Sequence, residues 1–239
     1  MTWSIVAHDP ASGAFGVAVA TCAFAVGASC PFVRSGVGAV STQSMTNRYL
    51  GPAILDALEA GLSPAEAIER ALAPDEGRHL RQVHCVDAKG RTAVWTGRNC
   101  VEWCGEATAP HVSVAGNMLA GAEVVAATLR TFEASASLDL AGRFMAAMAA
   151  GEAAGGDRRG KQSAAMLVTT TEDFPDLNLR VDDHADPLGE LARLLGIWRQ
   201  TYPPRRGWAP SKANPSGAAD MEAIEAGWKA QGLDLRFRR

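Results

Sequence analysis

Residues 2–21, TWSIVAHDPASGAFGVAVAT, open the chain with two apolar runs separated by a short polar connector. The runs at 3–7 and 15–21 are rich in Val, Ile, Trp and Phe, which favour strands. The connector HDPASG carries the Pro and Gly typical of a turn. The stretch therefore predicts a β-hairpin, with Thr2 directly before its first strand.

The rest of the chain alternates groups of strands with helices. Apolar runs and turn residues predict further strands at 37–42, 80–86, 92–96, 111–115, 163–170 and 177–181. Helical spacing predicts helices at 52–60, 64–72 (with Ser63 as N-cap), 123–132, 138–153 and 186–198. Grouped strands disfavour a doubly wound parallel sheet. We predict an α+β fold of four layers, αββα, in which two antiparallel sheets face each other between helix layers.

The composition changes after Tyr202, where PPRRGWAPSKANPSG (203–217) is rich in Pro, Gly and basic residues. We predict one domain over 1–202, followed by a linker and short C-terminal segment over 203–239, helical near 218–231. Trp208 and Trp228 indicate that this segment packs on a surface.

Composition excludes several classes of protein. The chain has 239 residues, of which 47% are hydrophobic, and a net charge of −3, which argues against a nucleic-acid partner. Neither a signal-peptide pattern nor an apolar run of roughly 18 residues is present, so we expect no membrane association and a cytoplasmic location.

The five cysteines do not fit a paired disulfide framework. Cys22, Cys30 and Cys85 are interpreted as buried small apolar residues. Cys100 and Cys104 could be metal ligands, but a second pair with the spacing of a zinc site is missing. We therefore expect no metal and no cofactor.

Four polar clusters interrupt the apolar background: STQSMTN (41–47), AGNML (115–119), GGDRRGKQSA (155–164) and LRVDDHADP (179–187). The first, which contains Gln43 and Asn47, is either a site at a strand end or a loop and helix cap. In the second, Asn117 either donates to an oxyanion or caps a helix.

The last two clusters also allow two interpretations each. Asp157, Arg158 and Gln162 either grip an anionic substrate group or form a solvated turn. Asp183 and His184 either make a catalytic carboxylate–imidazole pair or belong to a turn in which Asp186 caps the last helix. The common nucleotide-binding motifs and the G-x-S-x-G motif of serine hydrolases are missing from the sequence.

Taken together, TWSIVAHDP, GVAVAT, AVGASCPFVRSGVGAVSTQSMTN, AGNMLAG, GEAAGGDRRGKQSAA and LRVDDHADP resemble the bacterial and archaeal domain-of-unknown-function 1028 family. The resemblance runs from Thr2 to about Tyr202. It implies the αββα fold of the Ntn-hydrolase-like superfamily, and it implies function only weakly.

Within that superfamily the residue freed by Met1 removal is the candidate nucleophile, here Thr2, with its own α-amine as base. We predict an amidohydrolase for a small amide or peptide-like bond, with Thr2, Asn117 and Asp183 catalytic. Gln43, Asn47, Asp157, Arg158 and Gln162 would bind substrate. The alternative is a binding or scaffold protein that keeps the fold without catalysis. We expect a homo-oligomer in either case.

Overall fold

The computed structural model describes residues 2–232, except the side chains of residues 204 and 205. Within this range the strands are β1 (Thr2–Asp9), β2 (Ala14–Thr21), β3 (Pro31–Arg34), β4 (Gly38–Ser44), β5 (Arg81–Asp87), β6 (Thr92–Thr96), β7 (Gly105–Ala109), β8 (Val112–Asn117), β9 (Ser163–Thr169) and β10 (Leu177–Val181). The helices are α1 (Leu50–Glu59), α2 (Pro64–Leu72), α3 (Ala122–Ala134), α4 (Leu140–Ala153), α5 (Pro187–Thr201) and α6 (Met221–Ala230). The sequence did not predict the short strands β3 and β7.

The strands form two antiparallel sheets. A six-stranded sheet has the order β10-β9-β2-β1-β8-β7, and a four-stranded sheet has the order β3-β4-β5-β6. The opening hairpin supplies the two central strands of the larger sheet, with β1 between β2 and β8. This central position holds Thr2 opposite Asn117, at the end of the sheet where β2 also ends.

Helix pairs cover the outer faces of both sheets. α1 and α2 pack on the four-stranded sheet, and α3 and α4 pack on the six-stranded sheet. Alternation along each strand sends successive side chains to opposite faces. In β4, for example, Val40 joins the core with α1 and α2, whereas Ala39 packs against Val6 and Val17 of the other sheet. The predicted four-layer αββα architecture is confirmed.

Local signals place the helix starts. The Ser63 hydroxyl accepts from the main chain of Glu66, and the Glu66 carboxylate accepts from the main chain of Ser63, as the predicted capping box requires. Asp139 caps α4 in a similar way, accepting from the Gly142 N–H at 2.8 Å.

The described chain divides into two compact units, residues 2–191 and 192–232. This division falls inside α5, whereas the sequence predicts a boundary after residue 202; the predicted boundary stays a prediction. In the second unit the indole of Trp208 packs directly on Gly227 of α6. The last seven residues of the predicted C-terminal segment, 233–239, lie outside the described range.

Candidate functional site

Thr2 begins the central strand β1 and is buried, with 5% of its surface exposed. Its side chain points toward the four-stranded sheet, as that of Ser4 does. The Thr2 hydroxyl lies 3.4 Å from the hydroxyl of Thr21, the last residue of β2. Thr21 is itself 3.5 Å from Oδ2 of Asp157. A line of polar contacts therefore leads from Thr2 to a buried carboxylate.

Asp157 is held by several donors. Oδ2 accepts from the Cys22 N–H at 2.8 Å and from Nη2 of Arg159 at 2.9 Å, and Oδ1 accepts from the Arg159 N–H at 3.0 Å. Burial alone would raise the pKa of Asp157, but the Arg159 guanidinium and these main-chain N–H groups lower it below the usual value. The carboxylate is therefore ionised at neutral pH, with its charge balanced by Arg159.

Cys22 follows Thr21 and is half-buried, so its interpretation as a fully buried residue is wrong, whereas Cys30 and Cys85 are buried. Its Sγ lies 3.8 Å from the carbonyl oxygen of Arg159. Cys22 comes after the last residue of β2, and its main chain donates to Asp157 in the loop before β9, so it lies outside the sheet that buries Thr21.

Two amides hold the main chain of Thr2. Asn117 Nδ2 lies 3.4 Å from the Thr2 carbonyl oxygen and 2.9 Å from Oε1 of Gln82. Gln43 Nε2 lies 3.3 Å from the same carbonyl oxygen and 2.9 Å from the same Gln82 atom. The alternative of Asn117 as a helix cap is wrong, since α3 is preceded by Gly121 at its N-cap.

A second buried polar group lies next to these amides, and of its four members only Gln43 was predicted. The Ser4 hydroxyl is 2.7 Å from Oε1 of Gln43 and 2.7 Å from Nε2 of His84, whose Nδ1 is 3.0 Å from the Ser113 hydroxyl. All four side chains are fully buried between the sheets. Burial lowers the pKa of His84 to about 3, so the imidazole is neutral.

A sequence signal for this group exists. In β5, RQVHCVD, Gln82 and His84 alternate with Val83 and Cys85, so polar residues occupy one face of an otherwise apolar strand. A face of this kind at a buried strand indicates either a site or a satisfied polar layer. The other residues that sequence reasoning missed, Thr21 and Arg159, carry no such pattern.

Gln162 and Asp183 meet beside Thr21. The Gln162 N–H donates to the Thr21 carbonyl oxygen at 2.9 Å, and Gln162 Nε2 donates to Oδ1 of Asp183 at 3.1 Å. Asp183 is exposed, and so is Arg158, whose main chain bonds to Met118.

The neighbouring His184 bonds within its own turn. Its Nδ1 accepts from the Asp186 N–H at 2.9 Å, and Asp186 in turn accepts from the Gly189 N–H at 3.4 Å at the start of α5. This geometry matches the turn-and-cap interpretation of the cluster, in which Asp186 caps the last helix.

Asn47 lies with a different set of residues. Its Nδ2 donates to Oδ2 of Asp75 at 2.8 Å, and Asp75 also accepts from Nε of Arg81 at 3.0 Å. Hydrogen bonds from Arg81 and Asn47 lower the pKa of Asp75 to about 2, against the opposing effect of its burial. Among the described residues no hydrogen bond joins Asn47 to the group around Thr2.

Two searches of residues 2–232 bear on other classes of site. No group of three or more His, Cys, Asp or Glu side chains in this range is arranged to hold a metal ion. In the same range, no helix has both the length and the apolar character needed to cross a membrane.

Sequence comparison assigns the chain to a class of proteins without a known activity. A family model described as a family of unknown function, DUF1028, matches residues 2–191. The chain belongs to this family. No curated protein matches it.

Solved structures are similar to this chain. Protein SPO2555 from Silicibacter pomeroyi, assigned to the same family model, is 32% identical, with a TM-score of 0.85 over 92% of this chain and 96% of that one. Anbu, the ancestral β-subunit from Yersinia bercovieri, is 10% identical, with a TM-score of 0.37 over 83% of this chain and 97% of its own.

Proposed function

We propose that this protein is an amide-bond hydrolase of the Ntn type, in which removal of Met1 frees Thr2 as the nucleophile. The observation that carries the proposal is the line of contacts from the Thr2 hydroxyl through Thr21 to the ionised Asp157. The resemblance of the sequence motifs to the Ntn-hydrolase-like superfamily supports the same assignment.

The covalent steps involve the substrate amide, water, and the hydroxyl and freed α-amine of Thr2. The Thr2 hydroxyl oxygen adds to the amide carbonyl, and the freed α-amine takes the hydroxyl proton and passes it to the leaving amine as the C–N bond breaks. Water then attacks the ester on Thr2, and the carboxylic acid leaves with the hydroxyl restored. Removal of Met1 is essential, because a peptide nitrogen cannot act as the base.

The neighbouring residues take supporting roles in this proposal. Asp157 and Arg159 position Thr21 and through it the Thr2 hydroxyl. Asn117 donates to the oxyanion by exchanging its long 3.4 Å contact with the Thr2 carbonyl oxygen for it, while Gln43 keeps that main chain in place. The exposed Arg158 binds an anionic group of the substrate, beside Gln162 and Asp183 at the rim.

A binding protein that keeps the fold without catalysis is the second candidate. The observation that favours it is the low exposure of Thr2, 5% in the chain that includes Met1. The two functions differ in one measurable respect, because only the hydrolase requires a free amine on Thr2.

The test combines intact mass with covalent labelling. We expect the purified protein to lack Met1, and a β-lactone to acylate Thr2, because the hydroxyl opens the lactone ring and the ring oxygen takes the proton. Peptide mapping by mass spectrometry locates the added mass. Thr2→Ala should abolish labelling, and Thr2→Ser should retain it because it offers the same oxygen. The exposed Thr46→Ala serves as the matched control and should label normally.

The stability of Thr2→Ala should stay within about 1 kcal/mol of the wild type, since one hydroxyl and one methyl group are lost at a strand end. Complete retention of Met1, or equal labelling of Thr2→Ala at the same peptide, would contradict the nucleophile assignment and favour the binding protein.

A further inference from the structure

A cavity of about 540 Å³ opens where β5 begins and β6 ends. Its lining comes from two short stretches, 76–79 and 95–98, through Glu76, Arg78, His79, Trp95, Thr96 and Arg98. The volume lies within the range of about 300–1,000 Å³ that is usual for small-molecule sites. Thr2 does not line this cavity, and the proposed hydrolysis does not use it.

The two lining stretches are fixed against each other. The Gly97 N–H donates to the Arg81 carbonyl oxygen at 2.9 Å, and the Asn99 N–H donates to the His79 carbonyl oxygen at 2.9 Å. A Cβ on Gly97 would lie 2.5 Å from that His79 oxygen, so only glycine permits this approach. These main-chain bonds hold the backbone of the two lining stretches in place, so a ligand would not have to organise that backbone.

Trp95 presents a ring of fixed orientation. Its Nε1 donates to the Arg78 carbonyl oxygen at 3.0 Å, and 38% of the residue remains exposed. With the indole N–H occupied, the exposed surface of the side chain offers apolar and stacking contacts. The Thr96 hydroxyl is occupied as well, since it donates to Glu106 at 2.8 Å and lies 3.1 Å from Nε2 of Gln82.

The charged side chains that line the cavity are two arginines and one glutamate, and the Glu106 carboxylate lies behind the lining on the Thr96 hydroxyl. Arg78 and Arg98 are exposed, and neither guanidinium forms an ion pair with any residue that the structure describes. Glu76 is the one acidic side chain in the lining, against these two guanidinium groups. Guanidinium groups bind carboxylates and phosphates through paired hydrogen bonds, which a neutral ligand does not offer.

We propose that this cavity binds a small planar aromatic anion, with its ring against Trp95 and its anionic group on Arg78 and Arg98. The proposal is independent of the role of Thr2, so each can fail without the other.

Calorimetric titration with 2-naphthoate tests the proposal on the whole chain. We expect saturable binding that weakens as salt rises, and weaker binding of the neutral 2-naphthamide and of the non-aromatic cyclohexanecarboxylate. Arg78→Gln and Arg98→Gln should each raise the Kd about tenfold, because each removes one charge-assisted contact. Trp95→Leu should also weaken binding. Titration with 2-naphthyl phosphate then decides whether the preferred anion is a carboxylate or a phosphate.

The matched control is Arg130→Gln, which removes an exposed arginine of α3 and should leave the Kd unchanged. Thermal melting of each variant checks that it is folded. Absence of naphthoate binding at millimolar concentration overturns the proposal. So does equal affinity for naphthamide, or an equal Kd for Arg98→Gln and Arg130→Gln.

Discussion

The single buried residue His84 is expected to make the stability of the protein depend on pH. Its imidazole is enclosed between the sheets, with Ser4 on one nitrogen and Ser113 on the other. The Ser4 hydroxyl donates its single proton to Oε1 of Gln43, so it accepts from the Nε2–H of His84, and the Ser113 hydroxyl then donates to Nδ1 of the neutral ring. A protonated ring would place a charge in an enclosed layer whose neighbours Gln43 and Ser4 are also uncharged.

We therefore expect the stability of the protein to fall as the pH is lowered from about 6.5. The pKa of His84 is about 3 in the folded protein, and that of an exposed histidine is about 6.5. Between these values the unfolded chain binds a proton that the folded chain does not. The free energy of unfolding should therefore decrease by up to about 1.4 kcal/mol for each pH unit.

Replacing His84 by Gln should remove this contribution and keep polar groups at the site. Denaturant unfolding at pH 6.5 and pH 5 should show a loss that is about 1.6 kcal/mol larger for the wild type than for His84→Gln. The exposed His184→Gln is the control and should keep the wild-type loss. Burial also lowers the pKa of His8, so His8 adds the same pH dependence of stability to all three proteins. Equal losses in the wild type and His84→Gln would show that His84 is not the responsible group.

At the scale of secondary-structure elements, β2 is held in the middle of the larger sheet by a close approach to α4 and β9. A Cβ on Gly16 would lie 2.5 Å from the ring of Phe144 and 2.9 Å from the Leu167 carbonyl oxygen. The missing side chain at this position lets the phenyl ring of α4 lie directly on the strand. Because β2 ends at Thr21, this packing also helps to hold Thr21 in position beside Thr2.

Substitution Gly16→Ala should therefore destabilise the protein by about 1–3 kcal/mol, the usual cost of overpacking a core. Chemical denaturation with matched fluorescence and circular dichroism measures the change. Gly196→Ala in α5 is the control, because an added Cβ there meets nothing within 4 Å and alanine favours a helix, so this variant should be no less stable than the wild type. A Gly16→Ala variant as stable as Gly196→Ala would mean that Phe144 moves aside freely.

For the whole molecule, several large apolar side chains remain exposed in the first unit. Tyr49 is 86% exposed, Phe24 is 70% exposed and Met45 is 62% exposed. Side chains of this kind, when they form a patch, mark surfaces that contact another molecule. The homo-oligomer that the sequence predicts stays a prediction, and substitution of one of these side chains tests it.

We expect light scattering at micromolar concentration to give at least twice the chain mass of 25.1 kDa. Tyr49→Ser should shift the distribution toward the monomer if Tyr49 belongs to the contact, and circular dichroism checks that the variant is folded. A single species at the mass of one chain, independent of concentration, would contradict the prediction.

The sequence by itself determined most of the elements. Two apolar runs joined by a Pro- and Gly-containing turn in residues 2–21 predicted the hairpin, and Ser63 with Glu66 predicted the start of α2. These signals are readable because side-chain periodicity and capping depend on residues within about four positions of each other. The strands β3 and β7 escaped prediction, because they are only four and five residues long and lack a regular apolar alternation.

Only the tertiary structure decided which polar residues meet. Thr2 reaches Thr21 across 19 positions, and Thr21 reaches Asp157 across 136. Strand order and register bring these residues to one end of one sheet, and neither can be read from local spacing. Asn47 is a second residue whose contacts could not be predicted from the local sequence. It belongs to one of the predicted polar clusters, but the chain beyond β4 carries its side chain to Asp75, because a carboxylate there accepts its amide.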